Sequence, residues 1–386
     1  MIEIGLIGKP NAGKSSFLKA ATLQDVKISP IPFTTIKPNI SLAYVVKECV
    51  CKEFGVRCNP RNGACVNGKR LIPIGLWDLP GIVPGAHEGR GLGLKFLDEI
   101  RKVKALIHVV DFSGLTDSEG KATENYDVEK DIEFVENEIN LWFKEVIERG
   151  LEKYRRILKS LSKDELVDVL AKQLSGLEVK KEEIDMALNL VEINEIDIFA
   201  KKLREISKPI VIVANKIDLD SSQANYEKLK GKYKNIIPGS AESEIALRLA
   251  ARKGLIEYFP GEEDFVLKGS LNEEQKIALE IIRTKVLKKF RSTGIQKALN
   301  YTVFDVLKYI VVYPVADSDN LSDNKGNILP DAFLVKKGTR LREFAFLIHT
   351  IIGENFICGI DARTRRRLSA DYEIKENDVI EIVHRK

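Results

Sequence analysis

The stretch GKPNAGKSS, from Gly8 to Ser16, constrains the fold of this chain more than any other. It follows the apolar run Ile2–Ile7 and leads into a helical pattern from Gly13 to Ala21, so it reads as strand, glycine-rich loop and helix N-terminus. In that context glycines let backbone N–H groups close on phosphate oxygens, and the helix start adds positive potential. Gly8, Lys9, Pro10, Asn11, Ala12, Gly13, Lys14, Ser15 and Ser16 are therefore candidates to cradle a triphosphate. Lys14 would bridge the β- and γ-phosphates, and Ser15 would bind Mg²⁺. The loop alone leaves open which base is bound and whether the bond is broken.

Further strand patterns at Ile40–Val46, Leu71–Trp77, Ala105–Asp111, Pro209–Asn215 and Ile236-Ile237 alternate with helical ones, which predicts an α/β fold with a mostly parallel sheet. Between Asp111 and Pro209 only helical periodicity is found, so residues 116–205 read as an inserted helical domain within a nucleotide domain formed by 1–115 and 206–268. Residues 117–138 carry nine acids, read as a solvated face. A helical connector covers 269–306, with Ser270 and Glu273 as its capping box. A small α+β domain occupies 307–386, with strands at Ile310–Val315 and Ala332–Val335 and a helix from Thr339 to Ile352.

Three more boxes fall at strand ends. Asp78 and Gly81, in WDLPG, suit a water-mediated Mg²⁺ contact and a backbone sensor of the γ-phosphate. Asn215, Lys216 and Asp218, in NKID, choose the base: the Asp218 carboxylate accepts two hydrogen bonds from the edge of guanine, donors that adenine lacks. Ser240, Ala241 and Glu242 follow the next strand and would support the base. Together these boxes predict a GTP site at the carboxyl edge of the sheet. No apolar run approaches the roughly 18 residues of a membrane helix. The chain enters an apolar strand without a basic leader, which predicts a cytoplasmic protein with no membrane partner. A monomer is the default expectation.

With these residues in view, the loop PFTTIKPN at 32–39 and the segment DLPGIVPGAHEGRGLG at 78–93 resemble the Obg-like GTPases of the translation-factor class. The helical insertion and C-terminal region are most similar to the YchF (Obg-like ATPase) subfamily in its archaeal form. The resemblance implies a P-loop G domain, Thr35 as the switch ligand of Mg²⁺, a C-terminal TGS domain of β-grasp type, and a ribosomal or RNA-containing partner. Many subfamily members have a variant base box and prefer ATP. This chain keeps Asn215, Lys216 and Asp218, which favours GTP.

Ras-type enzymes place a water-orienting glutamine where this chain has Ile82, so slow intrinsic hydrolysis is expected. His87 in the same segment is a candidate to orient water, with a solvent-facing loop histidine as the alternative. The loop also resembles those of GTPases that hold a K⁺ ion partly through the asparagine at position 11. Lys14, Thr35, Gly81, His87 and Asn11 are thus the candidates for the chemistry. Three functions stay open: a slow GTPase switch acting on the ribosome or its RNA, an ATPase, and a GTP-gated RNA-binding module whose hydrolysis is incidental.

Cys49, Cys51, Cys58 and Cys65 lie in one insertion between two strands, where structural zinc, disulfides and free thiols all remain open. Cys358 reads as core. Net charge is only +4, from 61 basic and 57 acidic residues, yet basic residues cluster. The groups at 47–70, 285–291 and 363–367 are expected to be RNA-facing or ordinary solvated surface.

Overall fold

The computed structural model describes residues 1–22, 40–89, 99–154, 157 and 160–385. Its main sheet has seven strands: β1 (Glu3–Ile7), β2 (Ile40–Glu48), β3 (Ala64–Val66), β4 (Lys69–Asp78), β5 (Ala105–Asp111), β6 (Ile210–Asn215) and β7 (Ile236–Pro238). Their order is β2-β4-β1-β5-β6-β7, with β3 paired to β4. β1 runs parallel to β4 and β5, β5 to β6, and β6 to β7. Only β2 and β3 run antiparallel, along β4. The unbroken apolar run of β5 is buried at every position, as a central strand covered on both faces requires. Because these strands run parallel, the loops after β1, β4, β5, β6 and β7 all open at the same sheet edge.

One face of the sheet is covered by the inserted helices Glu129–Leu151, Lys163–Gln173, Lys181–Leu188 and Ile196–Ser207. Their Val135, Ile139, Phe143, Leu170 and Phe199 share a core with Ile7, Trp77, Leu79 and Leu106. The helical character expected of 116–205 is present, but its acids are not all solvated. Asp131 and Glu138, on the longest helix, are buried, at 1% and 6% exposure. Each faces a partner in the nucleotide domain. Asp131 lies 2.6 Å from the Lys9 ammonium, which also donates to the Thr116 carbonyl at 2.7 Å and stands over the Tyr126 ring. An amphipathic pattern alone places acids on the outer face; here the helix is buried on a second side by the loop it grips.

The opposite face is covered by Lys14–Thr22 and by Ile295–Asn300, whose Ile295, Ala298 and Leu299 pack with Phe17, Ala20 and Val45. A two-stranded hairpin, β8 (Ile256–Glu257) with β9 (Val266–Leu267), precedes the helix Glu273–Ile282. That helix is capped two residues later than the sequence suggests, by Asn272 and Gln275 in place of Ser270 and Glu273. Both pairs have the right chemistry, and the structure takes the one nearer the apolar stripe.

The C-terminal sheet consists of β10 (Tyr309–Val315), β11 (Phe333–Lys336), β12 (Phe356–Asp361), β13 (Arg367–Leu368) and β14 (Val379–His384), in the order β11-β10-β14-β12-β13. The helix Leu341–Ile348 crosses it, burying Leu341 and Phe344 against Val312 and Ile380. This is the β-grasp arrangement expected. The single helix expected to run to Ile352 is instead broken at His349, which is extended (φ −165°, ψ 139°) and caps a second helix, Thr350–Glu354, by accepting from the Ile351 amide.

The buried Lys9–Asp131 pair generates a stability prediction. Removing one partner leaves an uncompensated charge in the interior, which costs about 3–5 kcal/mol. Asp131→Ala should therefore lower stability by that order in denaturant unfolding, whereas Lys9→Met combined with Asp131→Leu should recover most of the loss. Equal losses in the single and double variants would show that the two charges are not coupled.

Candidate functional site: a nucleotide cradle at the sheet edge

The four boxes meet because four parallel strands end together. Leu6 of β1 is in register with Asp78 of β4, Asp111 of β5 with Asn215 of β6, and Ala214 with Pro238 of β7. The cradle turns out of β1 at Gly8, whose φ is +145° and where a Cβ would sit 2.3 Å from the Val109 carbonyl oxygen. Only glycine fits there. Gly13 (φ +95°) is equally bound to its role, since a Cβ would meet the Asn215 side-chain nitrogen at 2.3 Å.

Asn215 joins the two halves of the site. Its amide nitrogen donates to the Ala12 carbonyl at 3.0 Å, and its oxygen accepts from the Ala241 amide at 3.2 Å. The cradle and the loop after β7 are thereby fixed to the base box. Lys216, also left-handed at φ +63°, forms a 2.8 Å ion pair with Asp111. Asp218 accepts from the Ser240 hydroxyl at 2.6 Å, and Ser240 also caps the helix Ala241–Arg252 by accepting from the Ser243 amide. Ser240 itself is held by the connector, its amide donating to the Thr293 carbonyl at 2.9 Å. Glu242 is exposed at the start of that helix.

Lys14 folds back onto its own loop, donating to the Gly8 and Lys9 carbonyls at 3.0 and 2.8 Å. Burial lowers its pKa to about 8, with the nearby Asp78 carboxylate pulling the other way. Asp78, half-buried at the end of β4, is in turn raised by burial and lowered by Lys14. Ser15 is exposed in the first helical turn, and Ser16 is half-buried beside it. Gly81 lies against Pro10, where a Cβ would make contacts of 3.2 Å. Ile82 is 1% exposed and donates its amide to the Gly8 carbonyl at 3.1 Å. Its side chain belongs to the core shared with the inserted helices, so it serves packing and not water placement.

The insertion grips the loops of the site at three points, two on its longest helix and one in the loop before it. Lys9 meets Asp131, as above. Asn11, exposed and left-handed at φ +61°, donates to the Gly120 carbonyl at 2.9 Å. Glu138 accepts from the Gly85 amide at 2.6 Å, from the His87 amide at 3.0 Å and from the His87 ring at 2.6 Å. Burial works against the Glu138 charge, but the His87 contacts and the Gly85 amide outweigh it and hold the carboxyl below its usual range. His87 is therefore not a solvent-facing loop residue: its Nδ1 is committed to Glu138. Thr35 and the loop 32–39 lie outside the described residues, as do residues 90–93 of the segment at 78–93.

Asp111, Asp131 and Glu138 were not legible as site residues. Asp111 carried a signal, a carboxylate closing an apolar strand at the same edge as the boxes. It is buried, and although burial raises its pKa, hydrogen bonds from Lys216, Ser113 and Thr116 win and keep it charged. The other two are fixed by tertiary packing and leave no local trace.

The cysteines converge as well. The Sγ atoms of Cys49, Cys51, Cys58 and Cys65 all lie within 4.8 Å of one another, and the group can hold a metal ion. Cys358 is partly buried in β12, not fully in the core. The basic clusters are largely engaged within the molecule: Arg61 with Asp331, Lys69 with Glu262, Lys285 with Asp220, Arg291 with Glu263 and Arg363 with Glu53.

Ser240 gives a direct test of this geometry. Ser240→Ala removes both the hydroxyl held by Asp218 and the helix cap, and an absent cap costs about 1 kcal/mol. Nucleotide affinity should fall several-fold, with unfolding stability lowered by about that amount. Affinity unchanged at lowered stability would separate Ser240 from the base site.

Three family models match the chain. One described as a 50S ribosome-binding GTPase covers residues 3–144, one described as the Obg-like GTPase YGR210-like, G4 motif-containing domain covers 213–317, and the TGS domain covers 325–384. An uncharacterized GTP-binding protein of Methanocaldococcus jannaschii is 46% identical over 99% of both chains, and one of Schizosaccharomyces pombe is 37% identical over 88% of each. The crystal structure of a GTP-binding protein from Pyrococcus horikoshii OT3 superposes with a TM-score of 0.76 at 37% identity, covering 99% of this chain and 100% of the other. The structure of the S. pombe YchF GTPase shares the fold at 17% identity, with a TM-score of 0.59 over 99% of this chain and 97% of that one. The chain belongs to the Obg-like, YchF-related family of GTP-binding proteins, with a P-loop G domain and a C-terminal TGS domain.

Proposed function

We propose that this protein is a guanine-selective nucleotide switch that hydrolyses GTP slowly and reports its nucleotide state to a ribosomal or RNA-containing partner. The observation that carries the reading is the bracing of the base box: Asn215 fixes it to the cradle, and Ser240 holds one oxygen of Asp218. A carboxylate held in this way is preorganised for the paired donors of guanine. The family model described as a 50S ribosome-binding GTPase supports the ribosomal side of the proposal. Since many surface cations are paired within the molecule, Arg365 with Asp319 among them, the exposed Arg366 and Arg367 are better placed to meet RNA than the insertion at 47–70.

Mg²⁺ fits the donor set. The Ser15 hydroxyl and Asp78 carboxylate are oxygen ligands suited to a hard cation and are not fully buried, and Thr35 is the proposed third contributor. The ion would offset phosphate charge. The chain itself supplies Lys14, which must leave the Gly8 and Lys9 carbonyls to meet phosphate, and the Gly81 amide, which would sense the γ-phosphate. Slow turnover is expected because Ile82 is locked in the core. With Glu138 accepting from Nδ1–H, His87 presents Nε2 as the ring atom able to orient water. Asn11 gives its amide nitrogen to Gly120, which leaves its side-chain oxygen to meet a K⁺ ion between the phosphates.

Four measurements test these roles. Asp218→Asn forfeits charge-assisted acceptance at the base, worth about 1.5–3 kcal/mol per bond, so GTP affinity should fall by about 10²-fold or more; affinity within a factor of two of wild type would remove Asp218 from base selection. Lys14 titrates near pH 8 in the free protein and should be re-protonated by phosphate, so binding above that pH should take up protons. Calorimetry in two buffers of different ionisation enthalpy reads this uptake, and buffer-independent heats at pH 8.5 would contradict it. GTP turnover should be faster in K⁺ than in Na⁺, and equal rates would exclude the cation role of Asn11. Co-sedimentation with ribosomal subunits should differ among GTP, GDP and a non-hydrolysable analogue, and equal binding in all three would sink the switch.

A further inference from the structure

We propose that Cys49, Cys51, Cys58 and Cys65 form a structural zinc tetrathiolate that fastens the β2–β4 insertion to the C-terminal domain. The site is independent of the nucleotide site and does not rest on the switch reading.

The four sulfur atoms are spaced as thiolates around one tetrahedral ion would be. Four thiolates at about 2.3 Å from Zn²⁺ in tetrahedral array have sulfur atoms about 3.8 Å apart. Cys49 and Cys58 are 3.9 Å apart, Cys51 and Cys65 are 3.8 Å apart, and every remaining pair lies within 4.8 Å. Two disulfides would need sulfur separations of about 2.05 Å and give no reason for the two pairs to converge on each other. The backbone supports the tetrad from two turns. Cys49 donates to the Gly68 carbonyl at 2.7 Å, and Cys51 accepts from the Val56 amide at 3.0 Å across a short 3₁₀ turn, Val50–Lys52.

The surroundings suit the charge such a centre carries. Zn²⁺ with four thiolates has a net charge of −2, and centres of this kind need nearby donors and cations. Among the described residues, two buried polar atoms by the cluster have no oxygen or nitrogen as hydrogen-bond partner: the Tyr313 hydroxyl, which faces Cys49, and Nε of Arg70. Arg70 is fully buried, stacks near the Tyr313 ring and acts electrostatically on Cys58. A buried hydroxyl and a buried guanidinium N–H without acceptors are costly unless they face negative sulfur. Thiolates on a metal would provide those acceptors, where neutral thiols accept only weakly.

The position of the cluster gives the metal its role. Tyr313 belongs to β10 of the C-terminal domain, and Cys49 and Cys51 share a core with Val311, Tyr313, Leu329 and Val379. Around that core, Arg70 donates to the Leu329 and Pro330 carbonyls at 3.0 and 2.9 Å, the Asn59 amide donates to the Ile328 carbonyl at 3.0 Å, and Arg363 pairs with Glu53. Residues 53–61, which make several of these contacts, hang between Cys51 and Cys65 with little regular structure of their own. Metal binding closes this loop, releasing up to four thiol protons, and thereby holds its domain contacts in place.

The full-length protein, purified without chelator, should contain one zinc per chain by elemental analysis. Replacement by Co²⁺ should give the sulfur-to-metal charge-transfer band and the intense visible bands of tetrahedral cobalt tetrathiolate, and Cys65→Ser should weaken both. Hydrogen exchange on the wild-type chain supplies a readout that does not depend on any variant folding. Stripping the metal should raise exchange at least several-fold in peptides covering 53–66 and 326–333, and leave those covering the cradle at 8–16 unchanged. Five titratable thiols with no metal and no Co²⁺ uptake would overturn the assignment, as would two disulfides, or iron in place of zinc. Exchange at 326–333 that ignores the metal would overturn its role between the domains.

Discussion

The side-chain amide of Asn215 is the contact on which the nucleotide site depends. One amide group faces two loops at once, its nitrogen donating to the Ala12 carbonyl of the cradle and its oxygen accepting from the Ala241 amide after β7. It can do so because β6 lies between β5 and β7 in a parallel sheet, with Gly13 lacking the Cβ that would displace it. Geometry then propagates outward: Lys216 is turned onto Asp111, and Asp218 onto Ser240. The cradle and the Asp218 carboxylate are thereby joined in one hydrogen-bonded unit, so that under the proposed roles binding at one end of the nucleotide would not be spent on ordering the other.

The inserted helices are a second constraint on the same loops. Lys9, Asn11, Gly85 and His87 are each tied to residues 120–138. Three of these four ties are made by two buried carboxylates, Asp131 and Glu138, whose cost is justified only if their partners stay in place. The insertion thus holds the cradle and the segment around Gly85 and His87 from outside these loops, and any motion of that segment must work against Glu138. The C-terminal domain is attached at the far edge of the sheet, through β2, β4 and the cysteine loop.

The boxes were legible because their chemistry is local: a glycine loop between strand and helix, and short polar runs that end apolar strands. The β-grasp domain was legible for a similar reason, from the order of its short apolar strands around one amphipathic helix. What could not be read was set by partners distant in the chain. Asp131 and Glu138 look like any acids on an amphipathic helix until Lys9 and His87 are placed against them. Arg61 and Arg70 look like an RNA-facing patch, yet they reach Asp331 and the carbonyls at 329–330. The Cys-x-Cys spacing did not decide among metal, disulfide and thiol, because the tetrad closes only when the turn at 49–52 meets β3.

The base selection proposed for Asp218 is the most direct thing to measure. Titration of the Mg²⁺-loaded protein with GDP and ADP side by side, confirmed by competition between GTP and ATP, measures that selection without requiring a partner or turnover. A guanine preference of at least about 10²-fold, the worth of two satisfied bonds against two lost ones, is the expected result. Equal affinity for the two bases, or tighter binding of adenine nucleotides, would contradict it.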